Sequence, residues 1–206
     1  MSAERIDIET WERREQYLLF RSMDVPHFSL TAPVEIMPLV EKARKDKRSL
    51  FNAVLYGIML TVNGIPEFRT RFRGEAVIRH RVVHPSFTVP IANDHFAFCE
   101  ALYQEDWPTF DAEVTAAKEQ ASRQTKLSDG IDQWIYLSCM PWLDFTGATH
   151  PLQNKDDCIP RIAWGKIIEE DDRARVSVNL QAHHALMDGL HAAKFYEGLQ
   201  ENLLKF

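Results

Sequence analysis

Arg175-Val176-Ser177-Val178-Asn179-Leu180-Gln181-Ala182 runs directly into His183-His184-Ala185-Leu186-Met187-Asp188-Gly189, and a longer apolar-patterned segment continues to Phe206. The first stretch alternates apolar and polar residues, the period of a half-buried strand. In the segment Leu190 to Phe206, Ala192, Phe195, Tyr196, Leu199 and Leu203 share one side at helical spacing. The heptapeptide is therefore the loop of a strand–loop–helix unit. A histidine at the mouth of a strand, with a carboxylate four residues on and a glycine to turn the chain, suits a general base. Histidine has an ordinary pKa near operating pH.

Upstream, Ile159 to Ile168 and Arg173 to Ala182 read as a hairpin around Glu169 to Asp172, and Trp134 to Met140 as a strand that Pro141-Trp142 breaks. Shorter strand-like runs are Glu75 to His80, Ser86 to Ala92 and His95 to Leu102. Leu50 to Val62 is strongly apolar at helical spacing and predicts a buried helix closed by Asn63-Gly64. Further helices are predicted over Trp11 to Arg21, Met37 to Lys45 and Pro108 to about Gln124, with a strand at His27 to Ile36. Strands outnumber helices and interleave with them. That order predicts an α/β two-layer sandwich, a mixed β-sheet packed under helices. With no repeat, low-complexity stretch or linker, residues 1–206 are expected to form a single domain.

At 206 residues the chain can bury a substantial core, and 45% hydrophobic and 26% charged residues suit a soluble globular protein. A net charge of −6 argues against nucleic acid as a partner; the densest basic run, Lys42 to Arg48, reads as a solvated helix face and turn. No stretch approaches the ~18 apolar residues of a membrane span, and Met1 to Glu9 lacks a signal-peptide core. The odd set of Cys99, Cys139 and Cys158 gives neither a disulfide framework nor a metal knuckle. The expected location is the cytoplasm.

The His-His-x-x-x-Asp-Gly pattern before a closing helix resembles the signature of the trimeric, histidine-dependent chloramphenicol acetyltransferases. Related forms occur in dihydrolipoyl acyltransferase cores and peptide-synthetase condensation domains. Three more segments match the acetyltransferase family in order: Trp11-Glu12-Arg13-Arg14-Glu15 with Phe28-Ser29-Leu30-Thr31; Phe87-Thr88-Val89; and Leu137-Ser138-Cys139-Met140-Pro141-Trp142-Leu143-Asp144-Phe145. Together they span nearly the whole chain.

The resemblance implies acetyl-CoA as co-substrate, no metal, a small hydroxyl acceptor with chloramphenicol leading, and a homotrimer with each active site between subunits. It implies that His184 is the general base, its tautomer set by its own backbone carbonyl, and that Ser138 donates to the oxyanion of the tetrahedral intermediate. Asp188 and Arg13 are implied to form a structural ion pair bracing the loop, with His183 and Gly189 as further support. Phe28, Thr88 and Phe96 keep the family's acceptor-pocket residue types. Phe20 stands where a tyrosine is common, Ala163 where a threonine helps hold an ordered water, and Phe98 where a small residue is usual. Lys166 is a candidate partner for a CoA phosphate.

Rival readings of the same residues fit less well. His183 and His184, adjacent on a strand, point to opposite faces and chelate zinc poorly together. Serine hydrolysis expects a Gly-x-Ser-x-Gly elbow, which is lacking. The altered pocket motivates two alternatives: an acetyltransferase for another small hydroxyl compound, and a non-catalytic trimeric binding protein. A dihydrolipoyl acyltransferase core would carry lipoyl and subunit-binding domains ahead of it.

Overall fold

The computed structural model describes residues 3–121 and 132–205. In chain order the elements are β1 (Glu4–Ile6), α1 (Arg14–Arg21), β2 (His27–Glu35), α2 (Met37–Asp46), α3 (Leu50–Gly64), a 3-10 turn (Pro66–Arg69), β3 (Thr70–Arg73), β4 (Ala76–Arg79), β5 (His84–Pro90), β6 (Phe96–Glu100), α4 (Trp107–Ala121), β7 (Trp134–Cys139), β8 (Arg161–Glu170), β9 (Arg173–His183) and α5 (Gly189–Lys205). Six strands form the main sheet in the order β2-β9-β8-β7-β5-β6. Pairings are antiparallel at β2/β9, β9/β8 and β5/β6, and parallel at β8/β7 and β7/β5. The sheet is thus mixed, as expected.

The apolar positions of β9, Val176, Val178, Leu180 and Ala182, share one core with Leu55, Ile58 and Met59 of α3 and Phe195, Leu199 and Leu203 of α5. Helices cover that face of the sheet. α3 begins at Ser49, whose hydroxyl accepts from the Asn52 N–H, the usual N-cap arrangement. Gly57 lets α5 approach closely: a Cβ there would lie 2.4 Å from Leu203 Cδ2. The β8–β9 hairpin turns at Asp171, which adopts a positive φ of 53°.

Several boundaries differ from those read in the sequence. Trp11 to Arg13 forms turns rather than helix, so α1 starts at Arg14. Asn63 and Gly64 lie inside α3, because the Asn63 amide bonds Met59 O and the backbone of Val83 instead of breaking the helix. The strand expected at Glu75 to His80 is β4, one member of a second sheet ordered β1-β4-β3. β3 and β4 turn about Gly74, whose φ of +60° favours glycine. The ends expected for α4 at Gln124 and for α5 at Phe206 lie outside the described residues. Among those residues, no helix is long and apolar enough to cross a membrane.

Candidate active site

His184 follows the last residue of β9, and its N–H donates to Pro26 O at 2.8 Å. Its imidazole lies flat on the Phe20 ring of α1, with centroids 3.7 Å apart and planes 6° apart. Phe28 of β2 meets it edge-on at 5.1 Å. Nδ1 is buried and has no hydrogen-bond partner among the described residues, so the expected bond to the residue's own carbonyl is not what holds the ring here. Packing between two aromatic side chains does so instead. Because the residue is only partly buried, Nε2 is the nitrogen left available to a substrate.

His183 points into the protein and is 2% exposed. Its Nδ1 accepts from the Ala185 N–H at 3.1 Å, so the proton sits on Nε2 and is donated to Lys155 O at 3.0 Å. That tautomer ties the 183–185 turn to the loop ahead of β8. Burial, with His27 nearby, pushes its pKa down to about 4. The neutral ring therefore contributes fully above pH 6.5, and the contribution is withdrawn as pH falls toward 4. At ~1.4 kcal/mol per pH unit, stability in urea should fall by about 2–3 kcal/mol between pH 7 and pH 4.5 from this group. His183→Gln should flatten that slope, and an unchanged slope would mean that His183 does not control it.

Asp188 Oδ2 accepts from Arg13 Nη1 at 2.7 Å, and Oδ1 accepts from the Leu190 N–H at 3.0 Å. Burial acts to raise the Asp188 carboxyl, but the Arg13 hydrogen bond and the His191 and Arg13 charges outweigh it and hold the pKa near about 2. The expected ion pair is present, though less enclosed than a core pair, with side chains 14% and 33% exposed. Asp188 also keeps other partners when Arg13 is removed. Arg13→Ala should thus destabilise by about 1–2 kcal/mol rather than the ~3–5 of a fully buried pair. In a chain of this size that lowers Tm by roughly 3–6 °C. A melting curve unchanged within error would dismiss the pair as a brace.

Gly189 opens α5 without a left-handed φ, and a Cβ there would meet nothing within 4 Å. The expectation that this glycine permits a tight entry is therefore corrected: within one copy, the turn does not need it.

Ser138 lies elsewhere. On β7 it pairs in register with Ala163 of β8, which pairs with Asn179 of β9. His184 comes five residues after Asn179 and two strand spacings away from Ser138. At ~3.3 Å per residue and ~4.8 Å per strand, the two side chains of one copy stand roughly 20 Å apart. Ser138 instead lines a cavity of about 360 Å³ with Thr88, Phe96, Phe98, Phe87 and Tyr136. Phe98 thus points into this cavity, its ring edge-on to Phe96 at 5.4 Å. Ala163, expected to line the acceptor pocket, is fully buried and lines neither this cavity nor the larger one. Its neighbour Asn179 donates to Ala148 O, so the connection between β7 and β8 lies over that part of the sheet.

A second, larger cavity of about 810 Å³ opens along β5, β7 and β8. Phe51, Trp142, Trp164, Cys139 and Lys166 are on its walls, and Thr88 lines both cavities. Ser138 and Cys139, consecutive on β7, face one cavity each. Burial pushes the Cys139 thiol up to about 11, which keeps it protonated.

Two residues of this region were not singled out in the sequence. Gly165 sits at the bulge between Trp164 and Ile167, where a Cβ would lie 2.5 Å from Leu143 O. A glycine inside a strand pattern was the available signal. His191, on the first turn of α5, places Nδ1 2.9 Å from Asp188 Oδ1 and Nε2 3.5 Å from Glu67 Oε1. Its position one turn past Asp188 was the signal there.

Comparison with known proteins gives a consistent picture. A family model described as chloramphenicol acetyltransferase matches residues 1–200. The chain is 31% identical to chloramphenicol acetyltransferase 2 of Escherichia coli and 32% identical to chloramphenicol acetyltransferase 2 of Haemophilus influenzae, each alignment covering 100% of both chains. A solved chloramphenicol acetyltransferase superposes with a TM-score of 0.90 at 27% identity, covering 98% of this chain and 100% of that one. A probable dihydrolipoamide acetyltransferase from Listeria monocytogenes, at TM-score 0.68 and 16% identity over 97% and 94% of the two chains, shares the fold alone. By sequence over its length and by fold, the chain belongs to the chloramphenicol acetyltransferase family, a family of acetyltransferases.

Proposed function

We propose that residues 1–206 act as one domain of an acetyl-CoA-dependent O-acetyltransferase, with chloramphenicol as the leading acceptor, in a cytoplasmic homotrimer. The observation that carries this reading is a pair of neighbouring cavities that share Thr88 in their linings. The larger has the room and the Lys166 ammonium for a long anionic donor, and the smaller has the aromatic lining for a compact acceptor. Ser138 lines the smaller cavity and Cys139 the larger, and in this reading the thioester carbonyl lies beside Ser138.

His184 is the base in this reading. Its Nε2 takes the proton of the acceptor hydroxyl as that oxygen attacks the thioester carbonyl, a role that contributes ~10²–10⁴-fold. Ser138 donates a hydrogen bond to the oxyanion that forms, and the sulfur leaves with the proton returned by His184. Burial, which keeps the Cys139 thiol protonated, disfavours an acyl-cysteine intermediate, in keeping with direct transfer. The roughly 20 Å between Ser138 and His184 of one copy supports a site completed by a neighbouring copy: His184, Phe20 and Phe28 from one, and Ser138, Thr88, Phe96 and Phe98 from the next. Asp188, Arg13 and His183 hold the loop that carries the base.

A second reading has the same chemistry with a different small alcohol. It rests on Phe98, which adds a second large aromatic ring to the wall of the cavity that the acceptor would enter. The test is release of CoA from acetyl-CoA by the purified protein, with and without chloramphenicol. Release that depends on chloramphenicol supports the first reading. Binding of acetyl-CoA without such release transfers support to the second, and absence of acetyl-CoA binding overturns both.

A further inference from the structure

We infer that Lys118 of α4 binds the phosphates of the donor nucleotide, an inference that rests on the acetyl-CoA reading above. Lys118 lines the large cavity together with Lys166. It is half-buried, and its Nζ lies 4.8 Å from the centre of the Phe51 ring, itself part of the cavity wall.

The ammonium is held there by a deliberate arrangement of neighbours. Nζ donates to Asn52 Oδ1 at 3.2 Å. Asn52 is 1% exposed, and its amide nitrogen donates to Asp111 Oδ1 at 2.7 Å and Thr115 Oγ1 at 3.2 Å. With the NH₂ committed to those acceptors, the amide oxygen has to face Lys118. The Asn52 amide oxygen and the Phe51 ring hold this lysine's ammonium at the edge of the cavity. Its acceptor is neutral, and no carboxylate of a described residue lies within ion-pairing distance. Among the described residues the charge thus has no direct ion-pair partner, and the Asp111 carboxylate reaches it only through the Asn52 amide. Glu119 is the carboxylate on the wall, so Lys118 and Lys166 leave the lining net positive.

An ammonium without a direct ion-pair partner among the described residues, in an aromatic-walled cavity of net positive lining, suits a phosphorylated ligand. Acetyl-CoA carries a pyrophosphate and a ribose phosphate far from its thioester. Lys118 thus acts on donor affinity and not on the chemical step.

The test compares wild type, Lys118→Met and Lys118→Arg with two donors, acetyl-CoA and S-acetyl-N-acetylcysteamine, which has the thioester but no nucleotide. Calorimetric titration with CoA runs alongside. Lys118→Met should weaken CoA binding by about tenfold and lower the kcat/KM preference for acetyl-CoA over the truncated donor by the same factor. Lys118→Arg should restore most of both, and the salt dependence of CoA binding should be shallower in Lys118→Met. An equal loss on both donors would make Lys118 a packing residue and overturn the inference. So would unchanged CoA affinity in Lys118→Met. If wild type itself binds no CoA, the acetyl-CoA reading fails first and this inference with it.

Discussion

His184→Ala should leave a folded protein that has lost at least about a hundredfold of its acetyl transfer rate. The fold should survive for local reasons. The residue's N–H, which donates to Pro26 O, remains in alanine, and the ring lies at the margin of the protein between Phe20 and Phe28 rather than in the main core. Removing it leaves a gap beside two aromatic rings, at a loss of ~1–2 kcal/mol of stacking and apolar contact. In the proposed mechanism Nε2 takes the acceptor's proton, so turnover should collapse, since alanine offers no substitute. Thiol release followed beside a melting curve separates the two effects. More than about a tenth of the wild-type rate in a folded variant would remove His184 as the base.

The way the ring is held sharpens that expectation. An imidazole oriented by packing rather than by a hydrogen bond at Nδ1 depends on the flat contact with Phe20 for its direction. For Nε2 to serve as the proposed base, the neutral ring must carry its hydrogen on Nδ1, where that buried N–H has no acceptor among the described residues. A substrate or a neighbouring copy that supplied an acceptor at Nδ1 would favour the protonated state.

Much of this was readable in the chain because the strand–loop–helix unit from Arg175 to Phe206 is long and strongly patterned. Val176, Val178, Leu180 and Ala182 alternate with residues that do face the opposite side, and the spacing from Ala192 to Leu203 does mark the buried face of α5. β1, β3 and β4 have three or four residues each, too few for a period to emerge, so the second sheet was mostly invisible. Asn63-Gly64 looked like a stop signal, but a side-chain amide with three backbone partners kept the helix going. Tertiary partners override local propensity in this way.

The candidate site was legible as residues but not as an arrangement. Ser138, Thr88, Phe96 and Phe98 do share a cavity, and His184, Phe20 and Phe28 do share a cluster. Nothing in a linear pattern reveals that one group gathers on β5, β6 and β7 while the other gathers where α1, β2 and the end of β9 meet. Ala163 is fully buried and lines neither cavity, a placement with no local signature in the sequence. Lys118 and Asn52 sit 66 residues apart, and each alone reads as an ordinary helical residue.

That separation leads to the test with the largest contrast. His184→Ala and Ser138→Ala, each assembled alone, should be nearly inactive; loss of an oxyanion donor typically costs ~10²–10³ in turnover. When the two chains are unfolded together and reassembled in equal amounts, activity should return to about a quarter of the wild-type level. In the proposed cyclic trimer, head-to-tail interfaces would give each site its base from one copy and its oxyanion donor from the next. A site is intact when the copy supplying His184 is the Ser138→Ala chain and its neighbour is the His184→Ala chain. Random assembly produces that pairing at about one interface in four. If both groups came from one copy, every site would keep one lesion and mixing would restore nothing. The strand register favours recovery: within a single copy, ~20 Å is several times the reach of any proton transfer or hydrogen bond.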